Sequence, residues 1–507
     1  MAVSQDSSSG PAPAARPRTV AVIGGGISGL AAAWFVKQAA PDATVTVFEG
    51  SPRVGGKLAV GEVGGVQVDL GAESILNRRP EAVELARAVG LDSDVVHPAT
   101  ASAAVWSRGE LAPMPKGHLM GIPGDAGVLA GLLSEAGMKR AEAGPSLPSR
   151  ARLRTEAEFD DVTVGDHVAD RFGREVVDRL VEPLLGGVYA GHASQISLRA
   201  AIPALVPAYE SGEPVDEAVA RILAAQAAAA DPRPVFAGIR GGVGRFPVAL
   251  AEACEAAGVV VRRETMVREL TRTPDGWRLV SGPVPAARAH EFDAVIVAVP
   301  GAPASRLLRA VAPAAAAELA GIEYASVALA TFVFDDAAPP AGSGFLVPPS
   351  DGRFIKASTF SSVKWSWLAE SGKTVVRASV GRHRETADLQ RDDADLAALA
   401  LADLRTALGS ATGSGSRSSS QSRQDAAQRT GGALGEPLDW HVQRWGGGLP
   451  QYAVGHVARV ARIRDAVAAQ PGLSVCGAAY DGVGIAACVA SAQRAAQDIT
   501  RSGRMAT

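Results

Sequence analysis

The strongest pattern in the chain is at its start. Thr19 to Ile23 (TVAVI) is an unbroken apolar, β-branched run that stops at glycines, as a strand buried on both faces does. Ile27 to Ala39 reads as a helix, and Ala43 to Phe48 (ATVTVF) as a second strand. Together they make one strand–helix–strand unit of about thirty residues. Pro80 to Gly90 carries proline near its start and glycine at its end, the punctuation of a helix. From about 123 to 230 the pattern is mainly helical, with Thr163 and Asp166 spaced as a capping box. Residues 139–160 are polar and interrupted by prolines, which predicts a loop.

From Phe236 the strand–helix alternation returns. Pro247 to Ala257 reads as a helix closed by Gly258, and Val259 to Val261 as a strand. Pro274-Asp275-Gly276 is a turn between two strands, and Phe292 to Val299 (FDAVIVAV) is a further buried strand. Residues 326–334, 353–360 and 373–381 are β-rich and predict a second sheet. The chain ends in a strand, Leu473 to Cys476, and a helix from Gly484. Residues 19–76, 236–300 and 441–507 therefore read as three parts of one α/β domain. Residues 77–235 form a mainly helical unit and 301–440 a sheet unit. Residues 1–18 are a polar, Pro/Ala-rich tail, and 409–436 a low-complexity surface insertion.

Composition narrows the classes. A chain of 507 residues exceeds one core at roughly 150 residues per domain. With 50 basic against 53 acidic residues and a net charge of −3, nothing points to nucleic acid. Cys254, Cys476 and Cys488 are too few and too scattered for a disulfide framework or zinc site, and fit a reducing compartment. The eight histidines form no pair at helical spacing, so no metal is expected. The tail lacks the apolar core of a signal peptide, and no run approaches the ~18 apolar residues of a membrane span.

Three glycine-rich segments carry the candidate chemistry. Gly24-x-Gly26-x-x-Gly29 follows the first strand and opens the first helix through Ile27 and Ser28, with Glu49 ending the second strand. Glycine lets the backbone approach a pyrophosphate, and the helix start supplies about half a positive charge. Glu49 is placed to accept from two ribose hydroxyls and would repel a 2′-phosphate. Next comes Arg53-Val54-Gly55-Gly56-Lys57, where a glycine pair turns the chain back and Arg53 offers a fork to the pyrophosphate. At the far end Gly477-Ala478-Ala479-Tyr480-Asp481-Gly482-Val483-Gly484-Ile485 opens a second helix. One nucleotide phosphate does not call for two such helix starts, whereas a flavin, which gains negative charge on reduction, does.

These segments together resemble the flavin-dependent amine oxidase/protoporphyrinogen oxidase superfamily. They are most similar to the bacterial oxygen-dependent coproporphyrinogen III and protoporphyrinogen oxidases of haem synthesis. Asp69-Leu70-Gly71-Ala72-Glu73-Ser74-Ile75-Leu76 resembles the family's segment beneath the flavin. Pro113 to Gly117, Met120 to Pro123, Gly186 to Gly191 with Leu198-Arg199, Gly344 to Pro348, Lys364-Trp365, and Leu449 to Tyr452 with Gly455-His456 extend the likeness over residues 19–498. The resemblance implies an α/β fold: a Rossmann-like FAD-binding domain with two dinucleotide fingerprints, a mixed-sheet substrate domain and a helical subdomain. It implies that Gly71, Ala72, Glu73 and Ser74 lie against the cofactor and that the Val267 backbone meets the adenine. Ala478 stands where many relatives carry an acid, and Phe246 where leucine is common. No cysteine aligns with the covalent flavin attachment site, so non-covalent FAD is expected.

The implied reaction is oxidation of a porphyrinogen by O2, releasing H2O2, with the flavin doing the chemistry and no catalytic side chain evident. A flat apolar macrocycle fringed by carboxylates asks for an apolar slot with cations at its rim. Arg78 and Arg79 are the rim candidates, Phe345, Leu346 and Val347 the wall candidates, and Lys364 a propionate contact. Arginine far outnumbers lysine, a bias that resembles high-G+C Gram-positive bacteria, where this family takes coproporphyrinogen III. Alternatives are protoporphyrinogen IX oxidation, an amine oxidase or carotenoid desaturase on the same fold, and a non-catalytic FAD or porphyrin carrier. The reading expects a cytoplasmic protein, with room for peripheral contact with the inner face of the membrane and transient contact with the next haem-pathway enzyme.

Overall fold

A computed structural model describes residues 17–144, 161–229, 233–335, 338, 340–410 and 434–501. Five parallel strands form the sheet that carries the nucleotide fingerprints. Their order is Val260–Arg262, Thr44–Phe48, Thr19–Ile23, Ala294–Val297 and Leu473–Val475. Alternation along the first strand explains why both faces are covered. Val20 and Val22 enter a core with Leu30 of the opening helix (Ile27–Ala39) and Val489 of the closing helix (Ile485–Arg501). Ala21 and Ile23 enter a second core with Leu307, Leu319 and Ile463 on the other face. The chain thus returns twice to one sheet, and its first and last helices pack together.

The second sheet has seven strands in the order Asp439–Pro450, Tyr324–Phe334, Thr374–Val380, Ile355–Phe360, Gly344–Leu346, Ala104–Ser107 and Glu110–Pro113. Ala328, Ala330 and Phe332 from one strand, with Val376 and Ala378 from its neighbour, face Leu396, Ala400 and Leu404 of the Asp393–Ser410 helix. The opposite face is turned toward the nucleotide domain and the helices. A separate helical core gathers Val168, Phe172, Leu180, Leu185 and Leu198. Thr163 caps the Val164–Phe172 helix by accepting from the Asp166 N–H at 3.0 Å, as the capping-box spacing predicts.

Several boundaries differ from those read in the sequence. The strands at Ala104–Ser107 and Glu110–Pro113 lie inside the segment read as helical, yet complete the edge of the large sheet. Short two-residue to four-residue strands leave too little alternation to register as a period. Residues 139–143 are not loop but the end of the Glu135–Ala143 helix, started by Ser134, which accepts from Gly137 N–H; residues 145–160 lie outside the described residues. The Pro80 helix is regular to Ala86 and then turns through Gly90, at φ 90°. The Phe292–Val299 run divides between an antiparallel strand, Arg288–Phe292, and the parallel Ala294–Val297. At the insertion, residues 409 and 410 still belong to the preceding helix and Leu434 is buried; 411–433 lie outside the described residues, as do 1–16 of the tail.

Asp69 joins the first and second parts of the nucleotide domain. Its carboxylate accepts from the Val243 and Gly244 N–H groups at 2.9 and 2.8 Å, fixing the turn before the Arg245–Ala256 helix. Burial outweighs those bonds and pushes its carboxyl up to about 7, from an ordinary 3.8. The folded state then holds the Asp69 proton more tightly than the unfolded chain does, so this group's effect on stability becomes less favourable as pH rises from about 4 to about 7. Asp69→Asn is expected to flatten that fall; urea midpoints measured across the same window check it, and equal slopes in both proteins would refute it.

Candidate active site

The two distant glycine turns stand side by side. Both leave the carboxyl ends of parallel strands, with only the Ala294–Val297 strand between them. Cys476 Sγ reaches the Ser28 carbonyl at 3.8 Å, and a Cβ on Gly477 would lie 3.9 Å from Ser28 Oγ. Gly24 needs φ 112°, and a Cβ on Gly29 would collide with the Gly24 carbonyl at 1.8 Å. Gly26 occupies the start of the opening helix with no side chain capping it, so the first-turn N–H groups face outward. A Cβ on Gly26 would meet nothing nearer than Gly56 at 3.9 Å, which leaves a cradle open to an anion.

The Arg53–Lys57 loop folds back onto that cradle. Gly55 N–H donates to the Gly25 carbonyl at 2.8 Å, and Gly26 bridges Gly55. The Glu49 carboxylate accepts from Gly25 N–H at 2.7 Å and Ser51 N–H at 2.8 Å, each oxygen keeping a second lone pair for a ligand. Val267 is drawn to the same end, because Thr265 N–H donates to the Glu49 carbonyl at 2.7 Å. Arg53 departs from expectation. Its guanidinium donates to the carbonyls of Gly56 (2.6 Å), Leu58 (3.2 Å) and Val54 (3.3 Å) and lies 5.6 Å over Trp445. It therefore braces the loop, and the backbone of that loop is what faces the cradle.

At the other glycine turn, Gly477 and Gly482 take φ 132° and 135°. Tyr452 donates its hydroxyl to the Ala478 carbonyl at 2.5 Å and stacks on His456 at 4.0 Å. Lys57 and Arg79 lie near Cys488, on the first turn of the closing helix, whose thiol is pushed up by burial and is therefore neutral. Burial pushes the Lys57 ammonium below its usual value, and its Nζ sits 5.7 Å over the Tyr324 ring. With Gly482, Gly484 and Ile485, this makes the second end of the groove electropositive.

Between these ends runs the Gly71–Ser74 segment, held by the seven-stranded sheet. A Cβ on Gly71 would overlap the Lys57 carbonyl at 2.2 Å, so the two segments touch. Glu73 accepts from Lys364 Nζ and Arg377 at 2.8 Å each, Ser361 Oγ at 2.9 Å and Trp365 Nε1 at 3.3 Å. Arg377 also donates to the Gly71 carbonyl at 2.6 Å, and Lys364 to Ser74 Oγ at 2.8 Å. Burial alone would raise the Glu73 carboxyl, but the Lys364 and Arg377 charges outweigh it and hold it at about 2. Trp445 donates to the Leu70 carbonyl at 2.9 Å from the sheet side. Arg377 and Trp445 were invisible to motif reading, since each comes from a strand far along the chain with no spacing to announce it.

The substrate candidates separate. Lys364 is not a propionate contact, because its ammonium is committed to Glu73 and Ser74. Phe345 and Val347 do not line the open face of the sheet; both are buried in the core beneath it, with Phe345 6.0 Å from Phe360. Leu346 points the other way, 3.6 Å from a Cβ position on Gly187 of the helical unit. There it ends a row in register across five strands: Gln443, Leu329, Ser379, Ala357 and Leu346, all half-buried. Arg377, two residues before Ser379, ties this row to the Gly71–Ser74 segment. Arg79 pairs with Glu81 at 2.8 Å, while Arg78 is exposed and makes no bond among the described residues.

The family model for flavin-containing amine oxidoreductases matches residues 27–500. A coproporphyrinogen III oxidase from Mycobacterium tuberculosis is 36% identical over 488 residues, covering 95% of this chain and 97% of that one. The coproporphyrinogen III oxidase of Staphylococcus aureus is 28% identical over 502 residues, covering 95% and 99%. Among solved structures, an Exiguobacterium sp. protein assigned as a protoporphyrinogen oxidase superposes with a TM-score of 0.75 at 30% identity, covering 95% of this chain and 98% of that one.

Glu73→Gln should leave two buried cations short of a counter-charge and destabilise the protein by about 3–5 kcal/mol. Adding Lys364→Met should recover part of that loss by removing one of them. Thermal or urea midpoints of the single and double variants test this; strict additivity of the two losses would show that the cluster is not a charge network.

Proposed function

The chain belongs to the flavin-containing amine oxidoreductase family, and from that premise we propose that it oxidises coproporphyrinogen III to coproporphyrin III, with non-covalent FAD and O2. Six hydrogens leave the substrate in three two-electron rounds, and three O2 become three H2O2. Bound FAD supplies hydride acceptance at flavin N5. The residues present fit it: two uncapped or glycine-opened helix starts for its charged parts, and an acid for a ribose. On this reading Gly24, Gly26, Ile27, Ser28 and Gly29 take the pyrophosphate, Glu49 the ribose and Val267 the adenine. Gly55, Gly56 and Lys57 close over the middle. Gly71 to Ser74 lie along the ring, and Gly477, Gly482, Gly484 and Ile485 favour negative charge at its far end.

The observation that carries the substrate reading is the half-buried row beside the flavin segment. Leu329, Ser379, Ala357 and Leu346 give a flat floor of apolar and small side chains, where a planar macrocycle can lie with its apolar surface out of water. The floor orients the ring while excluding water. Arg78, exposed and unpaired among the described residues, is free to meet a propionate at the rim. The names of the Mycobacterium and Staphylococcus relatives favour coproporphyrinogen III over protoporphyrinogen IX. Three buried, unbridged cysteines accord with a cytoplasmic site. Among the described residues no helix is long and apolar enough to cross a membrane.

Two outcomes are expected. Flavin absorbance near ~450 nm should bleach under anaerobic coproporphyrinogen III and return with air; a flavin that stays oxidised under both porphyrinogens would leave a carrier as the better reading. Ala357→Phe should raise KM by about tenfold or more by filling the floor, at unchanged FAD content. An unchanged KM would move the macrocycle off this row.

A further inference from the structure

The half-buried row has a charged end. Lys356 precedes Ala357 in its strand, and Arg382 follows Ser379 by three residues. Lys356 Nζ donates to the Gly381 carbonyl at 2.8 Å, and Arg382 donates to the Val347 carbonyl, next to Leu346, at 3.1 Å. The two cations therefore stand together, just beyond the Leu346–Ala357–Ser379 part of the floor. Arg377, at the flavin segment, is five residues of mostly extended chain away from Arg382, roughly 16 Å.

Both are almost wholly buried, at 6% and 7% exposure, and the acceptors they hold are neutral. Their carboxylate answer is weak. Glu385 lies 3.9 Å from Arg382 and is 51% exposed. Glu182, which also acts on Arg382, is engaged by the Ala193 N–H at 2.5 Å and by His192 Nδ1 at 2.8 Å. Burial, and then the charge of Arg382, push the Lys356 ammonium down to about 7, and burial lowers Arg382 as well. Two buried cations with one loose counter-ion are costly to keep, and a bound anion would offset that cost. The seam above them is closed by the helical unit, where His383 N–H donates to the Ala190 carbonyl at 2.6 Å and its ring shares a hydrogen bond with Gln195 at 3.0 Å.

We propose that Lys356 and Arg382 form a carboxylate subsite that takes propionate at the end of the macrocycle farthest from the flavin segment. The inference rests on the porphyrinogen reading above and deepens it. Coproporphyrinogen III carries four propionates and protoporphyrinogen IX two, so a second cationic end distinguishes them. Arg78, exposed and four residues past Ser74 of the flavin segment, is the other cation of this reading; the buried pair supplies charge away from the surface.

The test uses FAD-loaded Lys356→Met and Arg382→Gln with both porphyrinogens, together with binding of coproporphyrin III by fluorescence quenching. KM for coproporphyrinogen III and the Kd of coproporphyrin III should rise about 10- to 100-fold. kcat should change little, KM for protoporphyrinogen IX should shift less, and Arg382→Lys should restore most of the affinity. KM within about twofold of wild type in both variants, or equal rises for the two substrates, overturns the subsite. If a variant fails to load FAD, the wild-type pH profile decides: KM for coproporphyrinogen III should climb as pH rises through about 7 and Lys356 loses its proton, and Lys356→Arg should abolish that climb. A profile flat from about pH 6 to about pH 9 overturns the subsite as well. Wild-type protein that oxidises neither porphyrinogen would instead sink the substrate reading, while normal wild-type turnover with unaffected variants removes the subsite alone.

Discussion

The architecture depends on two glycine-opened helices being held one strand apart at the carboxyl edge of a single parallel sheet. Each helix start presents unpaired N–H groups and partial positive charge, and either alone would be a modest anion site. Together they define a groove long enough to need both ends of the chain. The sheet enforces the spacing, because Thr19–Ile23 and Leu473–Val475 both pair with Ala294–Val297. The contact between Cys476 and the Ser28 carbonyl leaves little freedom in how the ends meet. Once that groove is fixed, the Gly71–Ser74 segment has one course to take, and the large sheet one face to offer it.

What fastens the sheet to the groove is mainly charge. Glu73 is the meeting point of Lys364, Arg377, Ser361 and Trp365, four donors from the sheet domain on a side chain that belongs to the nucleotide domain. Such a cluster adds little net stability over a well-packed apolar one. Its value lies in specificity, since no other register satisfies two cations, a hydroxyl and an indole at once. One carboxylate facing two cations also leaves an excess of positive charge beneath the groove. Lys57 and Arg79 add to it from the other side, which suits a cofactor that becomes more negative as it accepts hydride.

The nucleotide half of the site was legible in the sequence because its function is local. Gly24 to Gly29, Glu49 and the Gly477–Ile485 turn each announce themselves within a few residues, and the structure brings them together. Arg53 was legible as a loop residue but not in its direction, since a guanidinium near three carbonyls and an aromatic face has many partners to choose from. The substrate half was not legible for a different reason. The proposed floor is one row across five strands, drawn from Leu346, Ala357, Ser379, Leu329 and Gln443 in a pairing that follows no sequence order. Phe345 and Leu346 show the limit in miniature: adjacent residues that a strand sends to opposite faces, one into the core and one toward the site. Lys364 stood out as a lone cation beside Trp365, but its charge is committed to Glu73, which no local spacing announces.

Across the substrate sheet, cations divide by burial and by partner, and that division is what gives the slot its chemistry. Arg377 and Lys364 are buried and answered by a carboxylate, so they hold structure and are not free to recruit an anion. Lys356 and Arg382 are buried and poorly answered. Arg78 is exposed, where water screens its charge and an ion pair is worth little until a ligand excludes that water. Between them lies a floor without formal charge. A ligand that fits this distribution must be apolar in its middle and anionic at its edges, and must place its anions far enough apart to reach both ends while its centre rests against the Gly71–Ser74 segment. A small amine meets none of these conditions, and a neutral polyene meets only the first, so on the proposed reading it is the placement of charge around the row, more than the fold itself, that selects the substrate.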